Sequence, residues 1–159
     1  MRVLGIDPGS RKTGWGVAEG RRGGARGVAA GVIRLKPGAP LADRLEIVYD
    51  AIDALIEEHR PQAMAVEDVF YAKYPNAAIK LGHVRGVVLL VAAKRGLALA
   101  EYSPALVKRT VSGRGAADKK QMGRIVGAML GFDEPLAEDA SDALAVALTH
   151  LSAARVRSR

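Results

Sequence analysis

Apolar residues recur along the chain in two rhythms, one strand-like and one helical, and the switches between them mark out its elements. Val3, Leu4 and Ile6 lie in a short run, Arg2–Asp7, that predicts a first strand, and Pro8, Gly9 and Ser10 turn the chain after it. Trp15 and Val17, then the stretch Gly27–Leu35, predict two further strands of a meander, with the Gly/Arg-rich stretch Gly20–Gly27 between them read as a loop. From Leu41 to His59 the residues Leu41, Leu45, Val48, Ile52, Leu55 and Ile56 fall at helical spacing, and Pro61 ends that helix. Ala63–Glu67 reads as a short buried strand, Asn76–Arg95 as a second helix and Leu97–Tyr102 as a fifth strand. Ser103 before Pro104 is an N-cap followed by proline at the first helical position, which predicts a helix over Pro104–Val111. Asp118–Leu130 and about Asp139–Ala154 complete the helices, separated by a break at Gly131–Pro135. No repeat or linker interrupts this order. It predicts a single α/β domain, residues 1–154, with a mixed five-stranded sheet sandwiched by helices, and a basic C-terminal tail at 155–159.

Composition narrows the chemistry. At 159 residues and 49% apolar the chain is long enough to bury a core. The longest apolar run, Val87–Ala93, covers about two helical turns against the ~20 residues a bilayer span requires, so no membrane association is expected. No basic or signal-like segment follows Met1, and the expected location is cytoplasmic. Cysteine is absent, which excludes disulfides and thiolate metal sites. The net charge of +7 points to a polyanionic partner, with a surface kept soluble by its own repulsion as the alternative.

Against that basic background a few carboxylates stand in unexpected places. Asp7 follows the apolar run Val3-Leu4-Gly5-Ile6, and Glu67 follows Ala63-Met64-Ala65-Val66. Asp139 and Asp142 are one helical turn apart, so both can face one point. If the two strands are neighbours and the last helix crosses their ends, the four converge. Two unit charges ~4 Å apart repel by roughly 1 kcal/mol in water and about 4 kcal/mol at an effective dielectric of 20, so such a cluster calls for a cation. Oxygen donors suit hard divalent ions, and Mg²⁺ is the usual choice where phosphate is the substrate. Two ions roughly 3.5–4 Å apart can activate a water and stabilise the leaving 3′-oxygen of an in-line displacement. Structural readings stand beside these. Asp7 before Pro8-Gly9 can be a turn residue, Asp139 an N-cap, and Asp142 a first-turn carboxylate favoured by the helix dipole. Asp68 points to the opposite face from Glu67 and is read as structural.

Longer motifs carry a resemblance. They are Gly5-Ile-Asp7-Pro-Gly-Ser-Arg-Lys-Thr-Gly14 with Gly16-Val17; Val66-Glu67-Asp-Val-Phe70-Tyr-Ala-Lys73 with Asn76, Ala78, Lys80-Leu-Gly82 and Arg85-Gly86; Tyr102-Ser-Pro-Ala-Leu-Val-Lys108 with Gly113, Gly115 and Lys119; and Asp139-Ala-Ser-Asp142-Ala-Leu-Ala-Val-Ala-Leu-Thr-His150. In this order the chain resembles the RuvC family of Holliday-junction resolvases, bacterial nucleases with a ribonuclease-H-like fold. The resemblance implies that Asp7, Glu67, Asp139 and Asp142 are the catalytic, metal-binding carboxylates, with two Mg²⁺ ions per site for which Mn²⁺ can substitute. It implies that Lys108 and Lys119 contact scissile-strand phosphates and that Phe70 stacks on an unpaired base, with Lys73 beside it on the DNA. Stacking of that kind contributes about 1–3 kcal/mol per base; a core position is the other reading of Phe70. It also implies four-way junction DNA as substrate, a homodimer, and work alongside the branch-migration helicase complex of RuvA and RuvB. The helix from Val84 to Ala93 is apolar on nearly all sides, which is compatible with a dimer. The chain departs from the family chiefly in the Gly/Arg-rich stretch Arg21–Gly27.

The alternatives are a ribonuclease-H-like nuclease acting on structured RNA, a phosphate-cradling or actin-like ATPase, and a non-catalytic junction-binding module. Phe70-Tyr-Ala-Lys73 and Asp139-Ala-Ser-Asp142 argue against the first. The spacing within Gly5–Thr13 fails the phosphate-loop pattern, and four retained carboxylates argue against the last.

Overall fold

The computed structural model describes residues 1–68, 75–113 and 118–157. Phe70, Lys73, Gly115 and Arg159, all singled out in the sequence, lie outside them. The elements run β1 (Arg2–Asp7), β2 (Lys12–Arg21), β3 (Gly24–Arg34), α1 (Leu41–His59), β4 (Ala63–Glu67), α2 (Pro75–Lys94), β5 (Ala98–Tyr102), α3 (Pro104–Ser112), α4 (Lys119–Leu130) and α5 (Glu138–Arg157). The five strands form one sheet in the order β3-β2-β1-β4-β5. The β1–β2 and β2–β3 pairs are antiparallel, and the β1–β4 and β4–β5 pairs are parallel. This is the mixed α/β sheet that the sequence predicts.

Strand alternation divides the core in two. Leu4, Ile6, Met64 and Val66 face α1 and α2, packing with Val48, Ile52, Val84 and Val88. Val3, Ala63 and Ala65 face the other way, against Leu144, Ala147 and Leu148 of α5 and Val107 and Val126 of α3 and α4. Helix α5 is itself enclosed, because the sheet covers one side and α3 and α4 pack on it from the other.

The separation between α5 and the sheet is set by glycine. A Cβ on Gly5 would stand 2.0 Å from the Ala143 carbonyl oxygen, and one on Gly14 would stand 1.9 Å from that of Asp139. Gly16, paired with Gly5 across β1 and β2, would meet the Leu144 side chain at 2.4 Å. The helix answers with Ala140, Ala143 and Ala147, all buried. Small residues on both surfaces bring the two backbones together.

Four expectations are corrected. The Gly20–Gly27 stretch is not a loop: Gly20 pairs with Ala25 and Arg21 with Gly24, leaving a two-residue turn, Arg22-Gly23, in which Gly23 takes φ +87°. Glycine-rich composition suggested a loop, whereas a tight hairpin needs glycine only at its turn. The second correction concerns the reading of Asp139 as an N-cap. Helix α5 begins at Glu138, with the Ser141 amide donating to the Ala137 carbonyl at 2.9 Å, so Asp139 lies inside the first turn. The third concerns α5, which runs to Arg157, beyond the expected end near Ala154. The fourth is that α2, with 20 residues and a mean hydropathy of 1.3 over its most apolar window, is long and apolar enough to cross a bilayer by length and composition alone. Here Val84, Val88, Val91 and Ala92 of that helix are buried in the core.

Substituting Gly14→Ala should therefore lower the thermal midpoint, by an amount equivalent to roughly 1–3 kcal/mol of overpacking. Gly24→Ala, whose Cβ would meet nothing within 4 Å, should leave it unchanged. Thermal unfolding of the two variants beside the parent chain checks this, and equal midpoints would remove the steric argument.

Candidate active site

Asp7 and Glu67 are brought together by strand register. Ile6 pairs with Val66 in the parallel β1–β4 ladder, so the next residues, Asp7 and Glu67, end adjacent strands side by side. Neighbouring strands lie ~4.8 Å apart. Both alternate onto the face covered by α5, in step with Val3 and Gly5 on β1 and with Ala63 and Ala65 on β4. The first turn of α5 stands above them because Gly14, the cross-strand partner of Asp7, lies beneath the Asp139 backbone. Asp139 and Asp142, at i and i+3, then share the helix face that overlooks the strand ends.

The loop after Asp7 is fixed by other groups. The buried Thr13 hydroxyl accepts from the Gly9 amide and donates to the Gly9 carbonyl, both at 3.4 Å, and Arg44 donates to the Ser10 carbonyl. The Asp7 carboxyl instead stands beside that of Glu67, near enough for each to act on the other's charge. This tells against a purely turn-forming role for Asp7.

The electrostatics show crowding. Burial first, then the charges of Glu67, Asp142 and Asp139, push the Asp7 carboxyl up to about 8. Burial and the Asp142 charge likewise raise Glu67, while the neighbouring Asp7 carboxyl and the Lys119 charge oppose the rise. The two carboxyls act on each other, so neither takes or loses a proton independently of its neighbour. Burial raises Asp142 as well, with Lys119 acting against it and Glu138 and Asp139 adding to it.

Two lysines face these acids. Glu67, Asp142, Lys108 and Lys119 line one cavity of about 290 Å³, whose remaining wall is Pro104, Val107, Met122 and Ala145. The Lys119 ammonium donates to Glu138 at 2.5 Å and stands 4.0 Å from an Asp142 oxygen. Its bond to Glu138 and the nearby Asp142 charge hold it above the usual lysine range. The N-termini of both lysine-bearing helices are well defined: Ser103 caps α3, and Asp118 forms a capping box with Gln121 at the start of α4.

Sequence reading gave no role to two residues here. Glu138, one position before Asp139, holds Lys119 beside the carboxylates, and nothing in its spacing singled it out. Arg85 of α2 reaches the ends of β4 and β5 from the opposite face, pairing with Asp68 at 3.3 Å and with Glu101. Asp68 is thus on the far face from Glu67, as strand alternation predicts, and its amide donates to the Tyr102 carbonyl at 2.8 Å. Phe70 and Lys73 follow this strand end but lie outside the described residues.

The donor set is all carboxylate oxygen, and the carboxylates raise one another's proton affinity; this chemistry fits a hard divalent cation. Glu67 and Asp142 line the cleft, but the carboxylates do not close on a point: among the described residues, no group of three or more acidic or histidine side chains stands close enough to hold an ion as placed.

The chain matches the family model described as crossover junction endodeoxyribonuclease RuvC over residues 3–150. A crossover junction endodeoxyribonuclease RuvC from Sorangium cellulosum is 52% identical, over 97% of this chain and 86% of its own length. Its counterpart from Alkalilimnicola ehrlichii is 47% identical, over 99% and 95%. Among solved structures, T. thermophilus RuvC in complex with Holliday junction substrate has a TM-score of 0.93 at 34% identity, covering 99% of this chain and 97% of that one. The yeast mitochondrial Holliday junction resolvase Ydc2, at 16% identity and a TM-score of 0.69, shares the fold. The ribonuclease-H-like architecture implied by the motifs is therefore the one found. With a family match that spans nearly its whole length, this chain belongs to the RuvC family of crossover junction endodeoxyribonucleases.

Proposed function

We propose that the chain is a magnesium-dependent, structure-selective DNA endonuclease that resolves Holliday junctions by paired symmetric nicks, serving recombination and repair in the cytoplasm. The observation that carries this reading is the shared cleft, in which Glu67 and Asp142 face Lys108 and Lys119 with Asp7 beside Glu67. A phosphodiester needs both signs at once: cations to hold its phosphate, and anions to hold the metal that prepares the attacking water.

In this reading Asp7, Glu67, Asp139 and Asp142 would hold two Mg²⁺ ions, or Mn²⁺ in their place. When bound, such ions activate water and stabilise the leaving oxygen in an in-line displacement. The chain's own groups do the rest. Lys108 and Lys119 bind the phosphate oxygens and place the scissile bond over the carboxylates. Val107, Met122 and Ala145 form an apolar wall that limits water beside the reacting centre. Asp7 would serve as a ligand in its ionised form, which its crowded surroundings disfavour without a cation. Water oxygen then bonds to phosphorus as the bond to the 3′-oxygen breaks, leaving a 5′-phosphate and a 3′-hydroxyl. Phe70 and Lys73, next in sequence after this strand end, are the residues we assign to the unpaired base and the DNA at the crossover.

Two symmetric nicks need two sites, and a two-fold homodimer supplies them. Helix α2 supports this assignment, since Ile79 and Leu90 are 59% and 53% exposed and, with exposed Gly82 and Gly86, form a stripe along one face. The branch-migration complex of RuvA and RuvB is the partner that family membership suggests.

Asp7→Asn should slow Mg²⁺-dependent nicking of a synthetic four-way junction by about 10³-fold or more, equivalent to about 4 kcal/mol of barrier, while junction binding persists. Cleavage of structured RNA in preference to the junction by the parent chain would favour the RNA-processing reading, and binding without nicking would favour the non-catalytic one.

The same carboxyl gives a pH dependence. In the folded chain Asp7 is pushed up to about 8 from an ordinary 3.8, so between about pH 4 and pH 8 the folded state keeps a proton that the unfolded state has released. Metal-free stability should be greatest at the acid end of that window and fall as pH rises through it. Glu67 and Asp142 act in the same direction. Asp7→Asn should flatten the fall, which thermal unfolding in chelator from pH 5 to 8.5 would show; an unchanged slope would mean that Asp7 is not the crowded group.

Lys108→Ala and Lys119→Ala should each make the dependence of log binding constant on log salt shallower by about 0.9, as the loss of one phosphate contact requires. Defects that do not vary with ionic strength would assign these lysines another role.

A further inference from the structure

The end of the sheet remote from the cleft carries a cluster of arginines that the proposed reaction leaves unused. Glu19 on β2 receives Arg26 of β3 at 2.9 Å and Arg2 of β1 at 4.0 Å, and the charge of Arg21 also acts on it. Arg155, near the end of α5, donates to the Arg21 carbonyl at 2.9 Å, and Arg2 donates to the His59 carbonyl at 2.7 Å. Arg22 stands exposed at the hairpin turn. Residues 1–27 contain only Asp7 and Glu19 as acids, and Asp7 belongs to the cleft, while no acid follows Asp142. Arg2, Arg21 and Arg26 therefore act on a single carboxylate, with Arg22 next along the hairpin and Arg155 tied to the Arg21 backbone.

Dispersed charge would keep a surface soluble at lower electrostatic cost than this concentration does. Backbone carbonyls also pin two of the five, Arg2 and Arg155, which presets part of the array. The cations here are arginine, whose planar fork matches phosphate oxygens. Their place is defined by strand register: Arg2 pairs with Glu19 where Asp7 pairs with Gly14, five residues away, or about 17 Å at ~3.3 Å per residue. At 3.4 Å per base pair this is about five base pairs from the cleft, with the hairpin tip farther still.

We infer that the Arg2, Arg21, Arg22, Arg26 and Arg155 cluster is a second contact surface for the phosphate backbone of duplex DNA, separate from the cleft. The duplex is either an outlying part of the substrate's own arm or a second duplex. The inference rests on DNA being the substrate, and nicking of a short-armed junction by the parent chain, measured in parallel, tests that premise separately.

The test is the double variant Arg22→Ser/Arg155→Ser, which leaves both partners of Glu19 in place, compared with Arg22→Lys/Arg155→Lys, which keeps the charge. Binding is measured across a salt series with junctions whose arms are shorter than five base pairs, with long-armed junctions, and with a labelled duplex added to protein saturated with short-armed junction. If the substrate's own arm reaches the cluster, the serine variant loses affinity severalfold and its salt dependence becomes shallower by about 2 on long arms alone. If a second duplex binds, the loss appears in capture of the added duplex. In either case the lysine variant retains most of the salt dependence, and single-turnover nicking of bound short-armed junction is unchanged. Identical affinity and salt dependence for the parent and serine variant on all three ligands would overturn the inference, provided that their thermal midpoints agree.

Discussion

The close seat of α5 on β1 and β2 is the contact on which the rest of the structure depends. Gly5, Gly14 and Gly16 remove the side chains that would hold the helix off, and Ala140, Ala143 and Ala147 answer from its side. The same contact does two things. It closes one half of the core, where Leu144, Ala147 and Leu148 meet Val3, Ala63 and Ala65, and it lowers the first turn of the helix onto the strand ends that carry Asp7 and Glu67. An added methyl at Gly14 would press on the Asp139 backbone itself, so packing and placement of the acids cannot be altered independently.

That seat creates an electrostatic problem. Carboxylates on two strands and a helix are brought within range of one another and partly removed from water, and the cost shows in the raised proton affinities of Asp7, Glu67 and Asp142. Lys119 relieves part of it, held at the rim by Glu138. A chain folded for stability alone would place something neutral at these positions. The charged arrangement makes sense when a cation and a phosphate are brought to it. On the opposite face Arg85 joins Asp68 and Glu101, so the strand ends that present Glu67 are tied from below as well as covered from above.

Much of this was legible in the sequence, and the exceptions have physical causes. The span of α1 and the ends of β1 and β4 follow from periodicity and from Pro8 and Pro61, because strand and helix rhythms are local properties. Asp7 and Glu67 stood out because each ends an apolar run with a charge. The hairpin at Arg22-Gly23 was hidden because glycine and arginine carry no alternating pattern, so the strand rhythm fades on both sides of the turn. Asp139 looked like a cap because a carboxylate before an apolar helix resembles one; only the Ser141–Ala137 hydrogen bond shows the helix starting earlier. The ties from Glu138 to Lys119 and from Arg85 to Asp68 join residues 19 and 17 positions apart, a separation at which the sequence carries no rhythm.

The central claim is that the seat of α5 turns four separate carboxylates into one divalent-metal site. A crystal structure of the chain soaked in Mn²⁺, with the ions located by anomalous scattering, tests it most directly. Two peaks roughly 3.5–4 Å apart are expected, held among Asp7, Glu67, Asp139 and Asp142, with the α5 backbone in place. Ions bound elsewhere, or a site that forms only when α5 moves away from Gly5 and Gly14, would contradict it.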